Sequence, residues 1–177
     1  MKKKALALVL ALTLLVAGIV GGTLAWLTDQ TAEVKNTFTV GDINIGLTET
    51  TTDYKMVPGN TIAKDPTVTV KANSEACWLF VKVTESTDLK DFITYAIAEG
   101  WTALPGVDGV YYREVPASAA DQIFSVLAGD AVTVKSDVTR TMLETAKTDA
   151  PTLTFQAYAI QRDHFATAGA AWAEVSK

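Results

Sequence analysis

Few residues in this sequence could carry out catalysis, because the side chains on which most enzymes rely are scarce. The chain has one histidine, His164, and one cysteine, Cys77. A zinc peptidase helix of the His-Glu-x-x-His type needs two histidines, and no serine lies in a Gly-x-Ser-x-Gly turn. Cys77 follows Ala76 and precedes Trp78, an apolar setting that favours a buried thiol over a nucleophile, and His164 is interpreted as a surface histidine. The sequence therefore predicts a protein that is not an enzyme and has no catalytic residue, metal ligand or cofactor.

Carboxylates and aromatic side chains are numerous, but neither group has a spacing typical of a binding site. No segment places alternating Asp or Asn residues within a calcium loop that closes on a Glu. The acidic residues are therefore interpreted as a solvated surface; examples are Asp88, Asp91, Glu99, Asp108 and Asp121. The aromatic residues could form a carbohydrate platform, but we favour core packing; they are Trp78, Phe80, Trp101, Tyr111, Tyr112, Phe124, Phe155, Tyr158 and Trp172.

The N-terminus has the order of segments that is typical of a secretory signal peptide. Three lysines at positions 2–4 precede an apolar run over residues 5–20, which is shorter than the roughly 20 residues of a spanning helix. Thr23 and Ala25 place two small side chains with one residue between them, which predicts cleavage before Trp26. The expected organisation is a signal peptide at 1–25, an N-terminal arm at 26–35 and a single β-sandwich domain at 36–177. The alternative is an uncleaved membrane anchor.

Charge and cysteine content restrict the partners and the cross-links of the secreted protein. The chain has 15 basic and 20 acidic residues, and removal of the three N-terminal lysines leaves 12 against 20, a net charge of −8. This charge argues against nucleic acid and anionic lipid as partners. With one cysteine, no disulfide can form within the chain, so its stability must come from the hydrophobic core.

The pattern of the chain after residue 36 predicts mainly β structure. Apolar and polar residues alternate in several short segments, and a Pro58-Gly59 turn precedes one of them. Strands are expected at 38–47 with a bulge near residue 41, and at 67–71, 77–85, 92–98, 110–115, 123–127, 131–136 and 153–161. Helices are expected at 139–147 and 166–175. The predicted fold is a jelly-roll-like antiparallel β-sandwich with a few short helices, preceded by a helical signal peptide.

Several segments resemble the TasA and camelysin family of Gram-positive surface proteins. The most specific is Gly21-Gly22-Thr23-Leu24-Ala25-Trp26-Leu27-Thr28-Asp29, which is similar to the end of the family's signal peptide and the start of its mature chain. Asn36-Thr37-Phe38-Thr39-Val40-Gly41 resembles the family's first mature strand. Met56-Val57-Pro58-Gly59-Asn60 and Lys64-Asp65-Pro66 resemble its turn and the strand that follows, and Ala157-Tyr158-Ala159 its terminal strand.

The resemblance implies a secreted structural protein of the extracellular matrix or cell surface. Members of this type are exported by the general secretory route and processed by a SipW-like signal peptidase. Their jelly-roll domains assemble with copies of themselves into fibres of the biofilm matrix. Other matrix proteins or polysaccharide are further candidate partners, and nucleic acid is not expected.

The arm at residues 26–35 suggests how such assembly could occur. It is polar overall, but it carries the apolar residues Trp26, Leu27, Ala32 and Val34. A free arm could add to an exposed sheet edge of the next subunit and place these side chains in pockets. The alternatives are an arm that pairs within its own domain, a camelysin-like surface metallopeptidase, and a monomeric adhesin or carbohydrate-binding module.

Overall fold

Ten β-strands and three short α-helices form the part of the chain that the computed structural model describes, residues 42–51 and 54–177. These residues belong to one compact unit, Val40–Lys177. The strands are β1 (Ile45–Thr48), β2 (Thr61–Ala63), β3 (Thr67–Val70), β4 (Cys77–Glu85), β5 (Ile93–Thr94), β6 (Thr102–Ala103), β7 (Val110–Val115), β8 (Gln122–Ser125), β9 (Ala131–Val134) and β10 (Leu153–Gln161). The helices are α1 (Leu89–Phe92), α2 (Arg140–Ala146) and α3 (Ala168–Val175).

The strands form three antiparallel sheets. The largest has the order β10-β4-β7-β6, the second β1-β3-β8 and the third β2-β9-β5. Strand β4 is the centre of the largest sheet, since it pairs with β10 along nine residues and with β7 along six. Its first five residues are all buried, because both faces of this sheet are covered.

One face of the four-stranded sheet packs against the β1-β3-β8 sheet. Val68 and Val70 of β3 meet Leu79 and Val81 of β4 in this core, and all four are at most 1% exposed. Side chains at alternate positions of a strand point to the same face, which is why these pairs are two residues apart. The two sheets therefore form the predicted β-sandwich.

The other face of the four-stranded sheet is covered by α3. Trp78 and Phe80 point to this side and pack with Ala168 and Ala171 of the helix. The ring of Trp172 lies 5.3 Å from that of Phe80, measured between ring centres. These aromatic side chains fill a core, as the sequence indicated, and none of them forms an exposed platform.

The third sheet packs over a separate core. Val132 and Val134 of β9 contact Leu89 and Phe92 of α1 there, and Leu127 is fully buried in the same cluster. Helix α2 contributes Ala146, with Met142 and Leu143 partly buried beside it. Thr139 begins this helix by accepting a hydrogen bond from the backbone N–H of Met142 at 3.3 Å.

Most predicted elements have the expected type, and three predicted strands have the observed bounds: 77–85, 110–115 and 153–161. The prediction for 92–98 was wrong in extent. The chain turns into α1 up to Phe92, only Ile93–Thr94 is a strand, and Ile97 makes a single bridge to Leu127. Leu89 and Phe92 are three residues apart, so one helical turn brings both into the core. Strand β6 was not predicted, because two exposed residues give no pattern.

In residues 42–51 and 54–177, no helix has the length and apolar composition that crossing a membrane would require.

Candidate functional site

Two sheets of the sandwich end beside each other. Strand β1 is the last strand of the three-stranded sheet and β10 is the last strand of the four-stranded sheet. The two strands are neighbours but do not pair. Each therefore has one backbone edge without a strand partner among the described residues. A cavity of about 360 Å³ lies here; we call it the edge cleft, and it is lined by Leu47, Thr48, Glu49, Lys64, Pro66, Leu153, Thr154 and Phe155.

Lys64 is a charged residue in the wall of the edge cleft, and it is only 7% exposed. Its Nζ lies 2.7 Å from Glu49 Oε1. The same ammonium group lies 4.7 Å from the centre of the Tyr54 ring and 5.4 Å from that of Phe155. A buried ammonium needs an opposite charge and further favourable contacts to offset its desolvation. Glu49 and the two rings supply them.

Tyr54 holds the connection between β1 and β2 against this wall. Its hydroxyl donates to Glu49 Oε1 at 2.7 Å and also contacts the backbone oxygen of Thr51. Burial, together with the hydrogen bond to the Glu49 carboxylate, raises the pKa of Tyr54 well above its usual value. The phenol therefore stays protonated and remains a donor.

Asp65 joins the same two segments by a second set of contacts. Its Oδ1 accepts from the backbone N–H of Thr50 at 3.0 Å, and its Oδ2 accepts from the Thr50 hydroxyl at 2.5 Å. These bonds to Thr50 hold the pKa of the Asp65 carboxyl below its usual value of 3.8. Lys64 and Asp65 thus attach the segment after β1 to the start of β3.

A second, more apolar cavity of about 400 Å³ adjoins the edge cleft and shares Lys64, Leu153 and Thr154 with it. Met56, Ile62, Leu89 and Val132 are among its other lining residues. The edge cleft therefore combines unpaired backbone edges with nearby apolar space. These are the features that an added β-strand requires.

The residues with catalytic potential lie elsewhere. Cys77 is fully buried at the start of β4, and burial raises the pKa of its thiol to about 11, so it is a poor nucleophile. His164 is exposed in a 3₁₀ turn directly after β10. In residues 42–51 and 54–177, no three His, Cys, Asp or Glu side chains are grouped closely enough to hold a metal ion.

The predicted cleavage and arm residues lie outside the described residues, so they remain predictions. They are Thr23, Ala25, Trp26, Leu27, Ala32 and Val34. The sequence did not identify Glu49, Tyr54 or Lys64 as parts of a site. The only signal was Lys64-Asp65-Pro66, which places two charges immediately before a buried strand.

Comparison with known proteins gives one match. The family model described as "Camelysin metallo-endopeptidase" matches residues 1–88, about half of the chain. This range includes strands β1 to β4 and the Lys64–Glu49 pair of the edge cleft. No curated protein and no solved structure matches the chain.

The family description implies a metal ion, and the residues that the structure describes do not fit one. A catalytic zinc site uses three protein ligands, commonly with two or more histidines. The chain has one histidine, and His164 has no second or third ligand grouped with it in the described part. The described residues therefore do not fit the metal-dependent chemistry that the family description names. The match over residues 1–88, together with the β-rich architecture, nevertheless shows that the chain belongs to the camelysin family, whose members are cell-surface proteins.

Proposed function

We propose that the protein is a secreted structural subunit of extracellular fibres, and that its subunits join when the N-terminal arm of one adds as a strand to the edge cleft of the next. The observation that carries this proposal is the position of β1 and β10, which end two sheets side by side without pairing. Unpaired sheet edges are templates for strand addition.

The side chains of the edge cleft support an apolar strand as its occupant. Leu47 is 36% exposed on β1, although its pairing partner Val68 is fully buried. On β10, Leu153 and Phe155 are only partly buried, and both border the cleft. An incoming strand that covered them would remove apolar surface from water, which contributes about 25 cal/mol for each Å².

The apolar residues of the N-terminal arm are spaced as a strand in the edge cleft would require. Ala32 and Val34 are two residues apart, so in an extended arm both point to the same face. Trp26 and Leu27 supply larger apolar side chains at the end that cleavage after Ala25 would free. An arm still attached to a signal peptide in the membrane could not enter a neighbouring subunit, so processing would control assembly.

A structural role also agrees with the chemistry of the described residues. The thiol of Cys77 is enclosed in the core, and the imidazole of His164 is solvated with no grouped ligand beside it. The edge cleft itself contains Lys64 and Glu49, but each neutralises the other at 2.7 Å. The cleft is therefore suited to bind backbone and apolar groups.

Negative-stain electron microscopy of the protein beginning at Trp26 tests the proposal. We expect fibres from this form at increasing concentration, and only monomers from a form with an N-terminal extension or without residues 26–35. The variant Leu47→Asp should also reduce fibre formation, because it places a charge in the edge cleft.

Ile123→Asp is the matched control for Leu47→Asp. Ile123 is 66% exposed on β8, which is the opposite edge of the same three-stranded sheet. The Ile123→Asp variant should leave fibre formation unchanged. The proposal fails if fibres form equally well without residues 26–35, or if the two Asp variants behave alike.

A further inference from the structure

A second surface depression lies apart from the edge cleft, at the end of the sandwich where β4, β5 and β7 meet. Two adjoining hollows of about 360 and 410 Å³ share three lining residues, Glu85, Tyr95 and Tyr111. These shared residues lie between the two hollows, and we call the two together the tyrosine groove. It shares no lining residue with the edge cleft.

The two tyrosines are held in place by the fold. Tyr111 lies on β7 and is half-buried, with its inner part packed on the core between the two sheets. Tyr95 follows β5 and is half-buried too, and its hydroxyl donates a hydrogen bond to Glu85 Oε1. Burial and this carboxylate raise the pKa of Tyr95 above its usual value, so the phenol remains a donor. The groove therefore has two fixed aromatic side chains.

The charges around the groove are unusual for this acidic protein. Three lysines line it: Lys82, Lys90 and Lys135. Across residues 42–51 and 54–177, the ion pairs within 4.0 Å involve other residues, and none of these three ammonium groups has a carboxylate partner. The carboxylates at the groove are Glu85, which accepts from Tyr95, and Asp108. Three lysines against two carboxylates leave a local excess of one positive charge, whereas the chain has a net charge of −5.

Half-buried aromatic rings beside unpaired ammonium groups are suited to a ligand that has both apolar faces and negative charge. A sugar ring presents C–H groups on its faces and hydroxyls on its edge, and an aromatic ring carries negative charge on its face. Charge-assisted hydrogen bonds from lysine to a carboxylate are about twice as strong as neutral ones. A small anion would use the lysines alone and leave both tyrosine rings without a partner.

We propose that the tyrosine groove binds an acidic saccharide, a chain of uronic acid units, with Tyr95 and Tyr111 contacting sugar faces and Lys90 and Lys135 binding the carboxylates. This goes beyond fibre formation, because it gives the subunit a polysaccharide ligand at a surface that strand addition leaves free. Single-stranded nucleic acid also combines flat bases with anions. A uronate carries its carboxylate on the sugar ring itself, which suits tyrosines and lysines that line the same hollow. A nucleotide carries its charge on the phosphate, separated from the base by the ribose, and nucleic acid is the competing outcome of the test.

Isothermal titration calorimetry tests this proposal. The protein is purified from cells that express the full chain. The probes are a hexamer of galacturonic acid, the neutral hexamer maltohexaose and a six-nucleotide oligothymidylate. We expect binding of the uronate hexamer alone, weakened by added salt because the contacts are charge-assisted. Lys135→Gln and Lys90→Gln should each lower the affinity several-fold, and Tyr95→Ala about tenfold, as for loss of an aromatic contact.

Lys55→Gln is the matched control, since Lys55 is exposed and does not line the groove. The affinity of this variant for the uronate hexamer should equal that of the unchanged protein. Lys90 is exposed, Lys135 is partly exposed, and neither forms an ion pair with another described residue. Both variants should therefore keep the melting temperature, which separates loss of binding from loss of folding. The proposal is overturned if the uronate hexamer does not bind, or if maltohexaose or oligothymidylate binds with equal affinity. It is also overturned if the lysine variants bind the uronate hexamer with the affinity of the unchanged protein. Fibre formation by the same samples, seen by electron microscopy, is an independent readout.

Discussion

The guanidinium carbon of Arg113 lies 3.9 Å from the centre of the Phe124 ring. This cation–π contact joins β7 of the four-stranded sheet to β8 of the β1-β3-β8 sheet. The same guanidinium carbon is 5.3 Å from the centre of the Trp101 ring. The indole of Trp101 is itself fixed, because its Nε1 donates to the backbone oxygen of Ser125 at 2.9 Å. Burial lowers the pKa of Arg113 from its usual value, and its Nε is buried without a hydrogen-bond partner. Arg113 therefore contributes chiefly by packing on two aromatic rings.

Replacing Arg113 should separate packing from charge. Arg113→Ala removes the stacked group and should lower the free energy of unfolding by about 1–2 kcal/mol. Arg113→Met keeps apolar contact with Phe124 and removes the unsatisfied Nε, so its loss should be smaller. Urea denaturation measures both values. Arg162→Ala is the control, since Arg162 is exposed and its change should stay within about 0.5 kcal/mol. An equal loss in the Ala and Met variants would contradict this explanation.

The Lys64–Glu49 pair should behave as a buried ion pair. Glu49→Gln leaves the ammonium of Lys64 without its counter-charge, and loss of one partner of a buried pair costs about 3–5 kcal/mol. The double variant Lys64→Met with Glu49→Gln removes the stranded charge and should recover much of that loss. Urea denaturation of the unchanged protein, of Glu49→Gln, of Lys64→Met and of the double variant forms a double-mutant cycle.

Lys147→Met provides the comparison for an exposed pair. Lys147 also contacts a glutamate, Glu144 Oε2 at 2.8 Å, but its side chain is 69% exposed. The change should cost less than about 0.5 kcal/mol. If Glu49→Gln were as mild as Lys147→Met, the pair would not be shielded from water as the structure indicates.

The sequence predicted the long strands well and could not predict the edge cleft. Strand β4 is nine residues long, and β7 and β10 pair with it along their whole lengths, so the local sequence pattern and the tertiary pairing agree. Helix α1 is four residues long, and its burial depends on contacts with β9 that no local pattern records. The edge cleft brings Glu49 and Lys64 together with Phe155, about 90 residues further along the chain. Only the complete fold places these residues together.

Asp65 should make stability depend on pH in the acid range. Its pKa in the folded protein is lowered below the usual 3.8 by hydrogen bonds from Thr50. The stabilisation is therefore fully present well above pH 3.8 and is lost as the pH falls through the lower, folded value. Asp65→Asn cannot carry the charge, so its melting temperature should fall less between about pH 5 and about pH 2 than that of the unchanged protein.

Asp149→Asn is the control for this pH experiment. Asp149 is exposed in the segment between α2 and β10 and makes none of the Thr50 contacts. This variant should retain the acid dependence of the unchanged protein. An Asp65→Asn curve parallel to that of Asp149→Asn would refute the role assigned to the Thr50 bonds.

Two glycines with the same backbone conformation should respond differently to alanine. Gly106 has φ of 77° and Gly109 has φ of 71°, a region in which a side chain is strained. A Cβ at Gly106 would meet nothing within 4 Å, whereas a Cβ at Gly109 would lie 2.5 Å from the backbone oxygen of Val83. The same turn is bonded to β4, because the N–H of Val83 donates to the Gly109 oxygen at 2.7 Å.

Gly106→Ala should therefore cost about 1 kcal/mol, the usual cost of a positive φ. Gly109→Ala adds a contact between backbone atoms that no side-chain rotation relieves, so the turn must move away from β4 and break the Val83 hydrogen bond. We expect a loss at least about 2 kcal/mol larger than for Gly106→Ala, measured by urea denaturation. Similar losses in the two variants would mean that the turn before β7 shifts without disturbing β4. The tyrosine groove, which includes Gly109, would then be less rigid than its hydrogen bonds indicate.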